Sequence, residues 1–131
     1  MARMITEVSG VVTAPPDRVR DALVASLLPG GPHPEGTFVV EDTPGHRSTV
    51  ELAADHLAIQ GGWWYRGEWT VSTHPDGTLV EHRVRNVANR ARWGVGLANG
   101  FFVGFAARTR ESFAGTLADV AHELGATSQL T

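Results

Sequence analysis

Three observations predict an α+β fold, with one antiparallel sheet and helices on one of its faces. A β-branched run near the N-terminus leads into a short amphipathic helix. Runs of alternating apolar and polar residues, parted by Gly, Pro and Asp turn signals, fill the middle. The period then becomes helical and stays so almost to the C-terminus. The predicted order is strand, helix, five short antiparallel strands, long C-terminal helix. With 131 residues, the chain is long enough to bury a core as a single domain, 1–131, and it shows no repeat or linker.

Arg3 to Thr13 reads as the first strand. Met4, Thr6, Val8, Gly10 and Val12 share one face, and Ile5, Glu7, Ser9 and Val11 the other. Ala14-Pro15-Pro16-Asp17 stops it. Proline suits a first helical turn, and Asp17 suits the positive end of the helix dipole. Val19, Leu23, Val24, Leu27 and Leu28 follow at helical spacing up to Pro29-Gly30. Short strands are then predicted at Thr37 to Glu41, Arg47 to Ala53 and Leu57 to Gln60. Asp42-Thr43-Pro44-Gly45 and Gly61-Gly62 supply turns.

Trp63 to Ala88 reads as one long hairpin. Three of the four tryptophans and the only tyrosine open it, as Trp63, Trp64, Tyr65 and Trp69. Alternation puts Trp63, Tyr65, Gly67, Trp69 and Val71 on one side, with Val80, His82, Val84, Asn86 and Ala88 on the return arm. Charged residues occupy the other side, and Trp64 falls there too. Burying a large aromatic side chain contributes about 2–3 kcal/mol, so the aromatic side is taken as inward. Pro75-Asp76-Gly77 most naturally forms a three-residue loop. That loop would set Trp69 opposite Arg83 and mix the faces. Either a four-residue loop or a β-bulge must restore the phase, and Gly67 is the position expected for the bulge. On the outer face, Glu68 is expected to pair with Arg83.

Tyr65, His82 and Asn86 bring polar groups inward. A buried polar group without a partner costs about 1–3 kcal/mol, so these three form an internal network or anchor a ligand. His82 with Tyr65 is the one acid/base pair to name.

The C-terminal helix is expected from about Gly94 to Leu124, with Gly125 just past its end. Phe102, Val103, Ala106, Arg110, Phe113, Leu117, Val120 and Leu124 fall on one stripe facing the sheet. Arg110, at the edge of that stripe, supplies an inward positive charge or merely snorkels. Leu97, Phe101 and Phe105 lie on the outer side. Plain burial, a homodimer contact or a gate over a pocket would account for them. Gly96, Gly100 and Gly104 recur every fourth residue, which suits close packing or ligand clearance. The tail TSQLT is expected to fray.

Composition narrows the function. No cysteine is present, which excludes thiol catalysis and disulfides and fits a reducing compartment. The N-terminus carries no signal-peptide run, so a cytoplasmic location is expected. No segment reaches the ~20 apolar residues of a membrane span. The net charge of −3 argues against a general nucleic-acid binder. The six histidines show no metal-ligand spacing, and no phosphate-binding loop or GxSxG occurs, so no metal or cofactor is expected. The Arg83, Arg85, Arg90, Arg92 run is read first as a solvated strand edge.

ITEVSGVVTAPPDRVRDAL, the PDGTLVEHRV hairpin and the long terminal helix together resemble the START/Bet v 1-like (SRPBCC, polyketide cyclase/lipid-transport-like) superfamily. The resemblance spans nearly the whole chain. It implies a helix-grip: a curved antiparallel sheet wrapped around a long C-terminal helix, with a cavity between and one shorter N-terminal helix. LLPGGPHPEG replaces the second short helix and tryptophan-rich segment of many relatives. The expected function is binding of a small apolar or aromatic molecule, lipid- or polyketide-like, between sheet and helix. Trp63, Tyr65, Trp69, Val84 and Phe102 would form walls, and His82, Asn86 and Arg110 polar anchors. Two alternatives stand beside it. One is an aromatase/cyclase-type enzyme on the same fold, with His82 or Tyr65 shuttling protons. The other is an interaction module with a filled cavity and a dimer surface at Leu97, Phe101 and Phe105.

Overall fold

The computed structural model of the chain describes residues 3–62, 65–87 and 104–131. It is α+β. Strand β1 (Arg3–Val12) and helix α1 (Pro16–Leu27) come first. Five strands follow: β2 (Gly36–Thr43), β3 (His46–Leu52), β4 (His56–Gly61), β5 (Tyr65–His74) and β6 (Gly77–Asn86). Helix α2 (Phe105–Glu123) and strand β7 (Ser128–Leu130) close the chain. The strands make one open sheet in the order β2-β3-β4-β5-β6-β1-β7, and every pairing is antiparallel.

Helix α1 begins as its sequence dictates. Pro15 is the extended N-cap residue, Pro16 opens the helix and Asp17 sits in its first turn. Val19, Leu23 and Val24 are buried against the sheet and α2. The Arg20 guanidinium ties the helix to the β3–β4 loop by donating to the Ala53 carbonyl, from Nε at 3.3 Å and Nη2 at 3.2 Å.

The β5–β6 hairpin keeps its faces in phase without the expected devices. His74 pairs with Gly77, so the loop has two residues, Pro75 and Asp76, and neither three nor four. Trp69 stands opposite His82 and Gly67 opposite Val84 in an unbroken register, so Gly67 is not a bulge. The cause lies at Gly77, which enters the strand with φ of 141° instead of serving as a third loop residue. A Cβ there would collide with the Val12 carbonyl and the backbone of Thr13 and Ala14. Glycine is needed for close approach as well as for its dihedral angle.

The phase slip occurs in β1. Met4 pairs with Arg85 and Thr6 with Val84, which makes Ile5 the extra residue. Met4 therefore shares the outer face with Arg85 and is exposed, contrary to its predicted place beside Thr6.

Helix α2 is built on Phe113, Leu117, Val120 and Ala121, all buried. It does not run unbroken from Gly94: Gly104 takes φ of 76° and is its N-cap. Residues 94–103 lie outside the described residues. At the other end Gly125 is left-handed, its N–H bonds the His122 carbonyl at 3.2 Å, and the Ala126 N–H bonds that of Ala121 at 2.7 Å. Those two bonds satisfy carbonyls the helix leaves open, which is the Schellman pattern.

The tail is a strand rather than frayed. Ser128, Gln129 and Leu130 pair with Val12, Val11 and Gly10, and the Thr131 N–H reaches the Ser9 carbonyl at 3.1 Å. Gly10 makes the junction of β1, β7 and α2 possible. A Cβ there would stand 2.6 Å from Leu117 Cδ1 and 3.0 Å from the Gln129 carbonyl oxygen.

Candidate functional site

Register assigns the inner face row by row. One row runs Leu52, Leu57, Trp69, His82 and Val8 across β3, β4, β5, β6 and β1. The next holds Val50, Ile59, Gly67, Val84 and Thr6. The row beyond holds Ser48, Gly61, Tyr65 and Asn86. The face is thus apolar where α1 and α2 lie on it and turns polar at the Tyr65–Asn86 end.

His82 is the centre of an aromatic stack. Its ring lies 4.0 Å from that of Trp69 at 14° and 6.0 Å from that of Phe113 at 8°. Its Nδ1–H donates to the Glu68 carbonyl at 3.1 Å. A carbonyl only accepts, so Nδ1 carries the proton and Nε2 is left as an acceptor. Burial pushes the imidazole pKa down to about 4, although the Glu68 bond works against that shift. At neutral pH His82 is uncharged.

Tyr65 leans along the strand. A Cβ on Gly67 would run into the Tyr65 hydroxyl and come within 3.0 Å of both its Cζ and Trp69 Cη2. Gly67 therefore makes room for the tyrosine ring between the two aromatic rows. Burial raises the Tyr65 hydroxyl above the usual phenol value. Gly61 does the same for Ser48, whose Oγ would lie 2.8 Å from a Cβ at that position. Ser48 is a buried polar residue of this face that sequence reasoning did not single out. Its alternation with Val50 and Leu52 was the available signal.

Of the predicted site residues, Tyr65, Trp69, His82, Val84 and Asn86 stand together on the inner face of two adjacent strands. Arg110 is exposed on α2 and does not point a charge inward. Ala106, expected on the buried stripe, is exposed as well. Trp63, Trp64, Phe102, Leu97 and Phe101 lie outside the described residues. Phe105 is half-buried at the start of α2. Between α1 and the sheet, among Leu23, Leu57, Trp69 and Val71, the gap is only about 10 Å3. That end is filled by the protein's own side chains. Two larger grooves of about 600 and 610 Å3 lie elsewhere, one between α1 and α2 and one beside β7.

The outer face carries a lattice of ions. Arg66 reaches Glu51 with Nη1 at 2.8 Å and Nη2 at 3.2 Å, and Glu68 with Nε at 3.0 Å. Arg85 Nε donates to the other Glu68 oxygen at 2.7 Å. Arg83, directly opposite Glu68, turns to Glu7 and Glu81 instead of making the expected Glu68 pair. Glu68 is better served diagonally, because two guanidiniums saturate both of its oxygens. Burial would raise Glu68, but the bonds from Arg85 and Arg66 outweigh it and hold the carboxyl below its ordinary value. The Arg66 bond does likewise for Glu51. Ala58, between Glu51 and Glu68 in the register, is small enough for Arg66 to bond both.

Among the described residues no helix is long and apolar enough to cross a membrane, and no three His, Asp or Glu side chains are grouped to hold a metal. The fold and face define an α+β domain with an open antiparallel sheet. No protein-family model, curated protein or solved structure matches the chain.

Proposed function

We propose that this chain is a small-molecule-binding domain of the START/Bet v 1-like, helix-grip type. The ligand is apolar or aromatic and lies on the inner face towards the Tyr65–Asn86 end. One observation carries the reading: Ser48, Tyr65 and Asn86 form a polar row beside the Trp69–His82–Phe113 stack, on the same face. An apolar wall with a few convergent polar groups is the usual make-up of a small-molecule site. The packed gap under α1, with no room for a ligand, supports the Tyr65–Asn86 end of the face over that one.

The aromatase/cyclase reading is less favoured. It needs His82 or Tyr65 to move a proton near neutral pH. His82 is held neutral down to about pH 4, and Tyr65 is shifted towards its neutral form. As binding groups both keep their worth. The tyrosine hydroxyl donates or accepts, and His82 Nε2 accepts.

Tryptophan fluorescence tests the proposal. A panel of flat aromatics, polyketide-like phenols, sterols and long-chain lipids should contain members that shift or quench the emission saturably. Asn86→Ala should weaken those members about tenfold, the worth of one hydrogen bond. A flat response across the panel would remove the proposal.

A further inference from the structure

We infer that β2 is a docking edge for a second copy of this chain, the two β2 strands pairing antiparallel about a two-fold axis at Val39. Among the described residues, β2 and β7 are the ends of the sheet. β7 has three residues and offers little to pair with, whereas β2 has eight. Among the described residues, β2 has no backbone hydrogen bond outside its ladder with β3.

Soluble proteins shield long edges with lysine, proline, a bulge or an inward charge. Over Gly36–Val40 this strand has none of them and no charge of either sign, and the chain as a whole has no lysine. Its one irregularity comes at the end, between Glu41 and Thr43. Val39, at the middle of the strand, is 60% exposed on the outer face.

The sequence of β2 is complementary to itself. A two-fold axis at Val39 sets Val39 against Val39 of the second copy, a β-branched pair of the kind that stabilises a sheet. Phe38 then faces Val40 of the other copy on the inner side, and Thr37 faces Glu41 on the outer side. No like charges meet. Shifting the register by one residue in either direction would move the axis off Val39 and give up that pairing. A seam of about five residues a side falls at or below the ~1,000 Å2 of a stable interface, so the dimer is weak and concentration-dependent. The surface is separate from the proposed ligand face, and the inference stands without that proposal.

The absence of cysteine makes the test clean. Val39→Cys should form a disulfide-linked dimer under mild oxidation, since the two thiols face each other. Thr37→Cys alone should not: its copies lie about 13 Å apart along the seam, beyond the ~7 Å Cα limit for a disulfide. Thr37→Cys mixed with Glu41→Cys should cross-link as a heterodimer. Sedimentation of the unmodified chain should show a monomer–dimer equilibrium, weakened at least tenfold by Val39→Asp, which sets two carboxylates opposite each other. Equal cross-linking of Val39→Cys and Thr37→Cys, or of neither, would overturn the inference. So would a strictly monomeric chain, or a dimer indifferent to Val39→Asp.

Discussion

An imidazole packed between Trp69 and Phe113 favours its neutral form, and that preference reaches the whole chain through linkage. Unfolded, His82 takes up a proton near pH 6.5; folded, not until about 4. Between those values the unfolded state holds more protons. Stability therefore falls as pH drops from about 6.5 towards 4, by at most ~3 kcal/mol, and His82 contributes no slope above that window. His82→Phe keeps a ring in the stack and removes the titration. Urea midpoints at pH 7 and pH 5 should differ for the unmodified chain and nearly coincide for the variant; equal drops would place the titrating group elsewhere. Gly67 gives a second residue-scale prediction. Gly67→Ala should cost about 1–3 kcal/mol through its clash with Tyr65, and a Tyr65→Ala partner should recover part of that loss. Additive losses would show that the tyrosine ring does not rest on Gly67. The inward set Tyr65, Trp69, His82, Val84 and Asn86 was legible because strand alternation depends on neighbouring residues alone. The stack with Phe113 was not, since it joins a strand to a helix thirty-one positions on.

Elements were legible where a local signal starts or stops them. Pro15-Pro16-Asp17 marks the start of α1, and Gly125 marks the end of α2. Register was less accessible, because it is set by the partner strand. Nothing in MITEV marks Ile5 as the extra residue, and Pro75-Asp76-Gly77 suggested one more loop residue than the hairpin uses. β7 escaped notice because Ser128-Gln129-Leu130 is too short to alternate, and its strand character comes from β1. Gly77 tests the hairpin as a unit. Gly77→Ala combines a positive φ with a collision against the Val12 carbonyl, and should lower the unfolding free energy by at least about 2 kcal/mol in denaturant titration. A loss within a few tenths would mean that β6 can step away from β1 at little cost.

For the whole molecule, charge is sorted by face. On the outer face of β3 to β6, Arg66 and Arg85 join Glu51 and Glu68 in one lattice and Arg83 pairs with Glu81, while the inner face opposite is aromatic and aliphatic up to its polar row at Ser48, Tyr65 and Asn86. Glu51 and Glu68 are both held below their ordinary values, so their contribution is present above that range and lost as pH falls through the lowered values. Acid unfolding should accordingly have two stages, the His82 slope first and the carboxylates below it. Arg66→Met should cost more stability in denaturant titration at low salt than at high salt, because salt screens the pairs its guanidinium makes with Glu51 and Glu68. A bound ligand at one hundred times its Kd would add about 2.7 kcal/mol and raise Tm by several degrees, which a thermal melt can follow.

The position of β1 has a consequence for the order of events during synthesis. Of the seven described strands it is made first, yet its neighbours are β6 and β7, the two made last. Until Gly77–Asn86 has emerged, β1 lacks its first partner among the described strands, and its second edge waits for Ser128–Leu130. β2 to β5 can meanwhile assemble hairpin by hairpin. The sheet is thus completed by pairing the first of the described strands with the last two. Such distant pairings slow folding and leave a β-branched segment waiting, which is where a nascent chain most needs shelter.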